Sequence, residues 1–332
     1  MGDSMMKACM GRATARPIAI ANSDLPDVSR ACVTGCDVRN VATSFFLDSK
    51  KGRLRLSVPG LKEEVRVCFA GDTHLGLHDA RDDANAENYA RMARGGGNPK
   101  AFSATLEKAK SDNADLLALA GDIVSFPTLA NVEFVSGELK KSGLDWMYTA
   151  GNHDWHFEGD AGSDVEQRAE WTKKRLKPFY PPGVDHLAYS KVVKGVRFVA
   201  IDNSIYHVSA RQLEFRRAEA AKGDPVVLMM HVPFWVDGMD IETCGNPAWG
   251  AATDRYWQTE RREKWAERQS AESFALREEV LSTPNLVAVL TGHLHAGRQA
   301  VERDKFLLTV PWNHDGYCWD IRLVPELSAI SA

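Results

Sequence analysis

The sequence contains no run of about 18 or more apolar residues, so no stretch of it reads as a membrane-spanning helix. Glycine does not recur at every third position, which excludes a collagen-like rod. Cysteine is scarce: six among 332 residues, at positions 9, 32, 36, 68, 244 and 318, are too few and too irregular for a disulfide framework, and a reducing compartment is expected. Positive charge is not in excess either. With 41 Lys and Arg against 45 Asp and Glu, the formal net charge is −4; this argues against a protein that coats nucleic acid and leaves room only for a local basic groove. In Met1–Ser23, Arg12 and Arg16 interrupt what would have to be an apolar core of about seven residues in a secretory leader. These readings together predict a cytoplasmic protein.

What is present is ordinary for a globular chain, with 44% hydrophobic and 26% charged residues, enough to bury a core. Residues 1–60 read as an N-terminal extension. They carry a weak apolar segment, Pro17–Ala21, and a hairpin in which Thr43–Asp48 and Arg53–Val58 flank the turn Ser49–Gly52. Cys32 and Cys36 have no second Cys/His pair at a usable spacing, so they are not read as half of a metal site. From residue 61 to 332 the sequence reads as one catalytic domain. Short apolar runs, Val65–Ala70, Leu116–Ala120, Trp146–Ala150, Val196–Ile201, Val226–Met230 and Val287–Thr291, predict strands buried on both faces. Ala101–Asn113 and Ala210–Lys222 have helical periodicity. Strands alternating with helices indicate an α/β fold, in which ligands collect at the C-terminal ends of the strands.

The polar clusters fall at those ends. Gly71-Asp72-Thr73-His74 follows the first run, Gly121-Asp122 the second and Gly151-Asn152-His153-Asp154 the third. His231 ends the run Val226–Met230, and Gly292-His293-Leu294-His295 ends Val287–Thr291. Asp72/His74 and His293/His295 are i, i+2 pairs, and in extended backbone such residues point the same way, so each pair is expected to hold a metal from one side. The inventory is Asp72, His74, Asp122, Asn152, His231, His293 and His295. These oxygen and nitrogen donors are too many for one ion and suit two ions sharing a bridging carboxylate. Without a thiolate among them, Mn, Fe, Zn or Ni is expected. Two divalent cations against two Asp leave the site cationic, which attracts an anionic substrate, and a metal pair activates water and clamps phosphoryl oxygens. The chemistry expected is phosphoester hydrolysis.

Asp-x-His, Gly-Asp, Gly-Asn-His-Asp, a lone His and Gly-His-x-His, in this order over about residues 64–325, resemble the calcineurin-like metallophosphoesterases. The resemblance implies a β-sandwich flanked by helices (αββα) and a hydrolase of phosphomonoesters or phosphodiesters acting through a metal-bridging hydroxide. It implies Asp72, His74 and His295 on one metal, Asn152, His231 and His293 on the other, and Asp122 bridging. His153 matches the position that binds phosphate or protonates the leaving group, a role that suits an acid beside a metal ligand. Ile123-Val124-Ser125-Phe126 replaces the Asp-Arg-Gly of protein Ser/Thr phosphatases, and no Tyr stands where purple acid phosphatases bind iron, so neither substrate class carries over.

Insertions are expected at about residues 75–99, 155–183 and 234–269. The first includes Gly95-Gly96-Gly97. The last holds Trp235, Trp249, Tyr256, Trp257 and Trp265, which either form the insertion's own core or stack a base, giving a small, nucleotide-like substrate. Arg255 is read as part of a solvated helix face or as a phosphate contact. His78, His156, His207 and His314 are surface or rim residues. Two other readings stand beside the enzyme. A non-catalytic scaffold of the same fold would lose ligands, and none is missing; a nuclease would need the basic stretch that the sequence lacks.

Overall fold

The computed structural model describes residues 45–82, 98–155, 161–234 and 270–326. The segment Pro17–Ala21, Cys9, Cys32, Cys36, Gly95-Gly96-Gly97, His156, Arg255 and the aromatics Trp235, Trp249, Tyr256, Trp257 and Trp265 lie outside the described residues.

Twelve described strands form two six-stranded sheets. Strands β1 (Phe45–Asp48) and β2 (Arg53–Val58) pair as the expected hairpin. In β2, Leu54, Leu56 and Val58 are buried while Arg53 and Arg55 face solvent, the alternation of a strand covered on one side. β3 (Val65–Ala70), β4 (Leu116–Leu119) and β5 (Trp146–Tyr148) run parallel. β12 (Trp319–Pro325) fits between β2 and β3, parallel to the first and antiparallel to the second. The first sheet therefore has the order β1-β2-β12-β3-β4-β5.

The second sheet contains β6 (Ala188–Val193), β7 (Val196–Ile201), β8 (Val226–Met229), β9 (Leu286–Thr291), β10 (Arg298–Glu302) and β11 (Lys305–Thr309), in the order β10-β11-β9-β8-β7-β6. Helices α1 (Pro99–Ser111) and α2 (Leu129–Ser142) pack at the first sheet. Helix α3 (Asp164–Trp171) continues through a π turn, Thr172–Leu176, and a 3-10 turn, Lys177–Phe179. α4 (Ala210–Ala220) and α5 (Ala271–Ser282) pack at the second sheet. Each helix starts on a side chain that accepts a backbone N–H, namely Asn98, Thr128, Ser163, Ser209 and Ser270, which satisfies one of the donors a helix start leaves open.

Burial on both faces has a direct cause. Phe198 and Ala200 of β7 join the core between the sheets, whereas Val199 and Ile201 join the cluster shared with Leu213 of α4 and Leu276 and Val280 of α5. Alternate residues of a sandwich strand thus meet the other sheet and then the helices, giving the four layers αββα. The expected strands are found, with β4, β5 and β8 ending one or two residues early because the chain leaves the ladder there to build the loops described next.

Candidate metal centre

The five polar clusters emerge from the C-terminal ends of β3, β4, β5, β8 and β9 and meet at one edge of the sandwich. One expectation is corrected. The i, i+2 pairs do not converge through extended backbone: Asp72 (φ 53°), His74 (φ 48°), Asp122 (φ 50°), His293 (φ 75°) and His295 (φ 57°) are all left-handed. Alternate left-handed residues turn the chain at the ends of β3 and β9 while neighbouring loops stay hydrogen-bonded. Asp72 and His74 donate their N–H groups to the carbonyls of Gly121 (3.0 Å) and Asp122 (2.9 Å). Such conformations are costly for residues with a Cβ, Asp and His being among the more tolerant, and they cluster at functional sites.

Two glycines are required by close approach. A Cβ on Gly151 would fall on Oδ1 and the backbone N of Asp122, and one on Gly292 would fall on Oδ2 of Asp72. Each glycine lets a neighbouring loop lie directly against an acidic side chain.

Two groups result. Asp72, His74, Asp122 and His295 form one, and Asp122, His231 and His293 the other; within each, the candidate ligand atoms lie within 4.8 Å of one another. In the first, Nε2 of His74 is 2.7 Å from Nε2 of His295, 3.8 Å from Asp72 Oδ1 and 3.7 Å from Asp122 Oδ2, and His295 Nε2 is 3.5 Å from Asp72 Oδ1. In the second, Nε2 of His231 lies 3.2 Å from both Asp122 Oδ2 and His293 Nδ1. Donors at about 2.0–2.2 Å from one ion stand roughly 3–3.5 Å apart, close to most of these separations.

The polar accounting agrees with a cation. Asp122 and Asp72 are fully buried; Asp122 Oδ2 faces imidazole nitrogens without a hydrogen-bond partner and Asn152 Oδ1 has none either, so both oxygens are left for a cation to complete. Asp122 Oδ1 is held by the N–H of His153 (2.8 Å), which leaves Oδ2 as the shared atom. His231 Nδ1 lies 2.7 Å from the carbonyl oxygen of Ala120; donation there leaves the Nε2 lone pair facing the group, as in a metal-binding imidazole. Burial raises the carboxyl of Asp122, but the imidazoles of His231, His153 and His74 outweigh it and hold the group well below the carboxylate range. Burial likewise opposes His231, yet Asp122 carries it up to about 9; burial and then His74 push His295 well below its ordinary value.

His153 is half-buried at the margin, its ring centroid 4.8 Å from that of His74. His78 and His314 are exposed and His207 half-buried. His314 sits 5.2 Å from Trp312, whose ring stacks on His295 at 5.8 Å, so Trp312 is a neighbour of the centre that no motif announced.

Asp154 closes the motif Gly-Asn-His-Asp without being a candidate ligand, and its role shows only in the fold. Its buried carboxylate accepts from the N–H groups of Asp122 (2.9 Å), Val124 (2.9 Å) and Gly151 (2.8 Å) and from the hydroxyl of Tyr148 (2.8 Å). It pins the second and third loops together. Burial, with Asp122 nearby, raises it to about 7.

A family model described as calcineurin-like phosphoesterase matches residues 65–297, stopping just before β10, β11 and β12. No curated protein matches. Among solved structures, a dimetal phosphatase from Danio rerio is 12% identical, with 76% of this chain and 89% of that one covered at a TM-score of 0.48. A purple acid phosphatase from yellow lupin seeds is 14% identical, covering 84% and 48% at 0.48. The phosphopantetheinyl hydrolase of Mycobacterium tuberculosis is 12% identical, covering 81% and 99% at 0.41. At these scores the likenesses carry no argument about substrate.

Proposed function

The chain belongs to the calcineurin-like phosphoesterases, a family of metal-dependent hydrolases, and on that premise we propose that it cleaves phosphomonoesters or phosphodiesters of a small molecule at a two-metal centre. The observation that carries this reading is the sharing of Asp122 by two groups of candidate ligands. Asp72, His74 and His295 would hold one ion and Asn152, His231 and His293 the other, with Asp122 serving both. Two divalent cations bound there supply the positive charge that lowers the pKa of water and clamps phosphoryl oxygens. The nitrogen and oxygen donor set suits Mn, Fe, Zn or Ni.

The chain's own residues do the rest. The buried carboxylates of Asp72 and Asp122 fix where positive charge sits, and the burial of the site strengthens its pull on an anionic phosphoryl group. His153, at the half-exposed margin, holds a proton on its ring for the leaving oxygen, since an alkoxide is a poor leaving group without one. The aromatic-rich stretch 234–269 that follows His231 makes nucleotides the first compounds to try. The scarcity and irregular spacing of cysteine make the cytoplasm the proposed site of action; no helix among the described residues is long and apolar enough to cross a membrane.

The test is a panel of p-nitrophenyl phosphate, bis-(p-nitrophenyl) phosphate and nucleotides, each with Mn, Fe, Zn and Ni. Turnover that needs metal and disappears in Asp122→Ala is expected. Equal turnover in that variant would sink the assignment.

A further inference from the structure

The loop after β7, Asp202–Tyr206, carries none of the motifs, yet it touches the second group at His231 and His293 and holds Trp155 near Asn152. Asn203, 5% exposed, directs its carboxamide at the end of β8. Its Oδ1 accepts the N–H groups of His231 (3.1 Å) and Val232 (3.0 Å), and its Nδ2 donates to the carbonyl of Val232 (2.7 Å). The chain leaves the ladder at this point, so these N–H groups lie beyond the named strand; the side chain serves as a substitute strand. His231 is then located by the carbonyl oxygen of Ala120 at its ring, by Asn203 at its N–H, and by the N–H of Gly292 at its own carbonyl (2.9 Å).

The same residue reaches the second imidazole indirectly. The carbonyl of Asn203 accepts the N–H of Tyr206 (2.8 Å), whose ring packs edge-on against His293 at 5.5 Å. Tyr206 is held there at φ 68°, a strained conformation for a bulky residue. Between them, Ser204 Oγ accepts the indole N–H of Trp155 (2.9 Å), three residues beyond Asn152. The first group is supported elsewhere: the carbonyl of His74 accepts from Ser125 Oγ (3.1 Å), and His295 lies against Trp312.

We propose that Asn203 is a positioning residue for the second metal, setting affinity at the Asn152/His231/His293 side and leaving the Asp72/His74/His295 side unchanged. The inference rests on the two-metal reading above. Without the carboxamide, two buried N–H groups and a carbonyl lose their partner, and only Ala120 and Gly292 remain to hold His231 in the position that faces Asp122 Oδ2. Residues that orient ligands in this way typically govern metal affinity by about 10–100-fold.

The experiment titrates metal-stripped wild type and Asn203→Ala with Mn, by calorimetry and by the EPR signature of a spin-coupled Mn pair. The wild type is expected to bind two equivalents. In the variant one dissociation constant rises about 10–100-fold while the other holds, the coupled-pair signal is lost at two equivalents, and both signal and turnover return with excess Mn. Two unchanged constants, or two weakened alike, would overturn the role of Asn203. A wild type that binds one equivalent would sink the two-metal reading and this inference with it. If Asn203→Ala loses its cooperative unfolding transition, Asn203→Ser, which keeps a small polar group, is put through the same titration with the same criteria.

Discussion

Nε2 of His74 stands 2.7 Å from Nε2 of His295. Two imidazole nitrogens at that separation cannot both present lone pairs, nor both present protons; they must share one positive species, a proton or a cation. Asp72 and Asp122, with oxygens 3.5–3.8 Å from these nitrogens, favour the greater charge.

Metal should therefore stabilise the fold measurably. A cation at a hundredfold excess over its dissociation constant adds about 2.7 kcal/mol per site, worth several degrees in Tm for a chain of this size. Thermal unfolding with and without Mn is the measurement, and a chelator should reverse the gain. No shift in Tm at millimolar Mn would contradict a cation between these rings.

The glycines give a contrast within one protein. Gly151→Ala and Gly292→Ala each drive a methyl into an acidic side chain of the centre, and each should cost about 1–3 kcal/mol and most of the activity. Gly137 lies mid-helix in α2 with open space where a Cβ would stand, so Gly137→Ala should stabilise by about 0.5–1 kcal/mol and leave turnover alone. Denaturant melts of the three variants decide the matter.

Tyr148→Phe removes one of the four donors to Asp154 and should cost about 1 kcal/mol with activity retained. Asp154→Asn can keep its amide oxygen towards Asp122, Gly151 and Tyr148, but then turns its NH2 against the N–H of Val124, so it should cost more, about 2–3 kcal/mol, and should lower turnover by shifting the loop that carries Asp122. Equal effects of the two changes would mean that Asp154 does not organise the loops.

Acid should loosen a different place. Glu219 on α4 accepts from Ser190 of β6 (2.7 Å), Arg197 of β7 (2.8 Å) and Lys222 (2.6 Å); burial raises its carboxyl, but these partners outweigh it and leave it below the usual range. A depressed pKa contributes stability above the unfolded value of about 4.5 and loses it as pH falls through the folded value. Glu219→Gln should be less stable near pH 7, by about 1–2 kcal/mol. The difference from wild type should shrink below about pH 4.5, as urea midpoints measured across pH will show.

The strands that carry the polar clusters were legible because both faces of each are covered, which leaves continuous apolar runs such as Leu116–Leu119. β12 was not: Asp320 and Arg322 alternate with Ile321 and Leu323, and the alternation breaks the run that marks a buried strand. β10, half-exposed along most of its length, and the polar α3 gave even less to read. At the centre, the residue types and their order were legible. The left-handed backbone of Asp72 and His74 was not, since it follows from hydrogen bonds to the Gly121–Asp122 loop, far along the chain. Asn203 was silent for the same reason: its partners become neighbours only when β7 and β8 pair.

The place of β12 in the first sheet bears on the order in which the molecule is made. The six strands of the second sheet come from one stretch, Ala188–Thr309, and can assemble once that stretch has left the ribosome. The first sheet cannot. β2 and β3 emerge early, but the strand that joins them is synthesised after every other described strand, and until it arrives each presents an unpaired edge. Asp72 stands at the end of β3, and its carbonyl is fixed by Asn313, in the segment leading into β12. The backbone of the first acidic residue of the centre thus gains its last partner only when residues from late in the chain arrive.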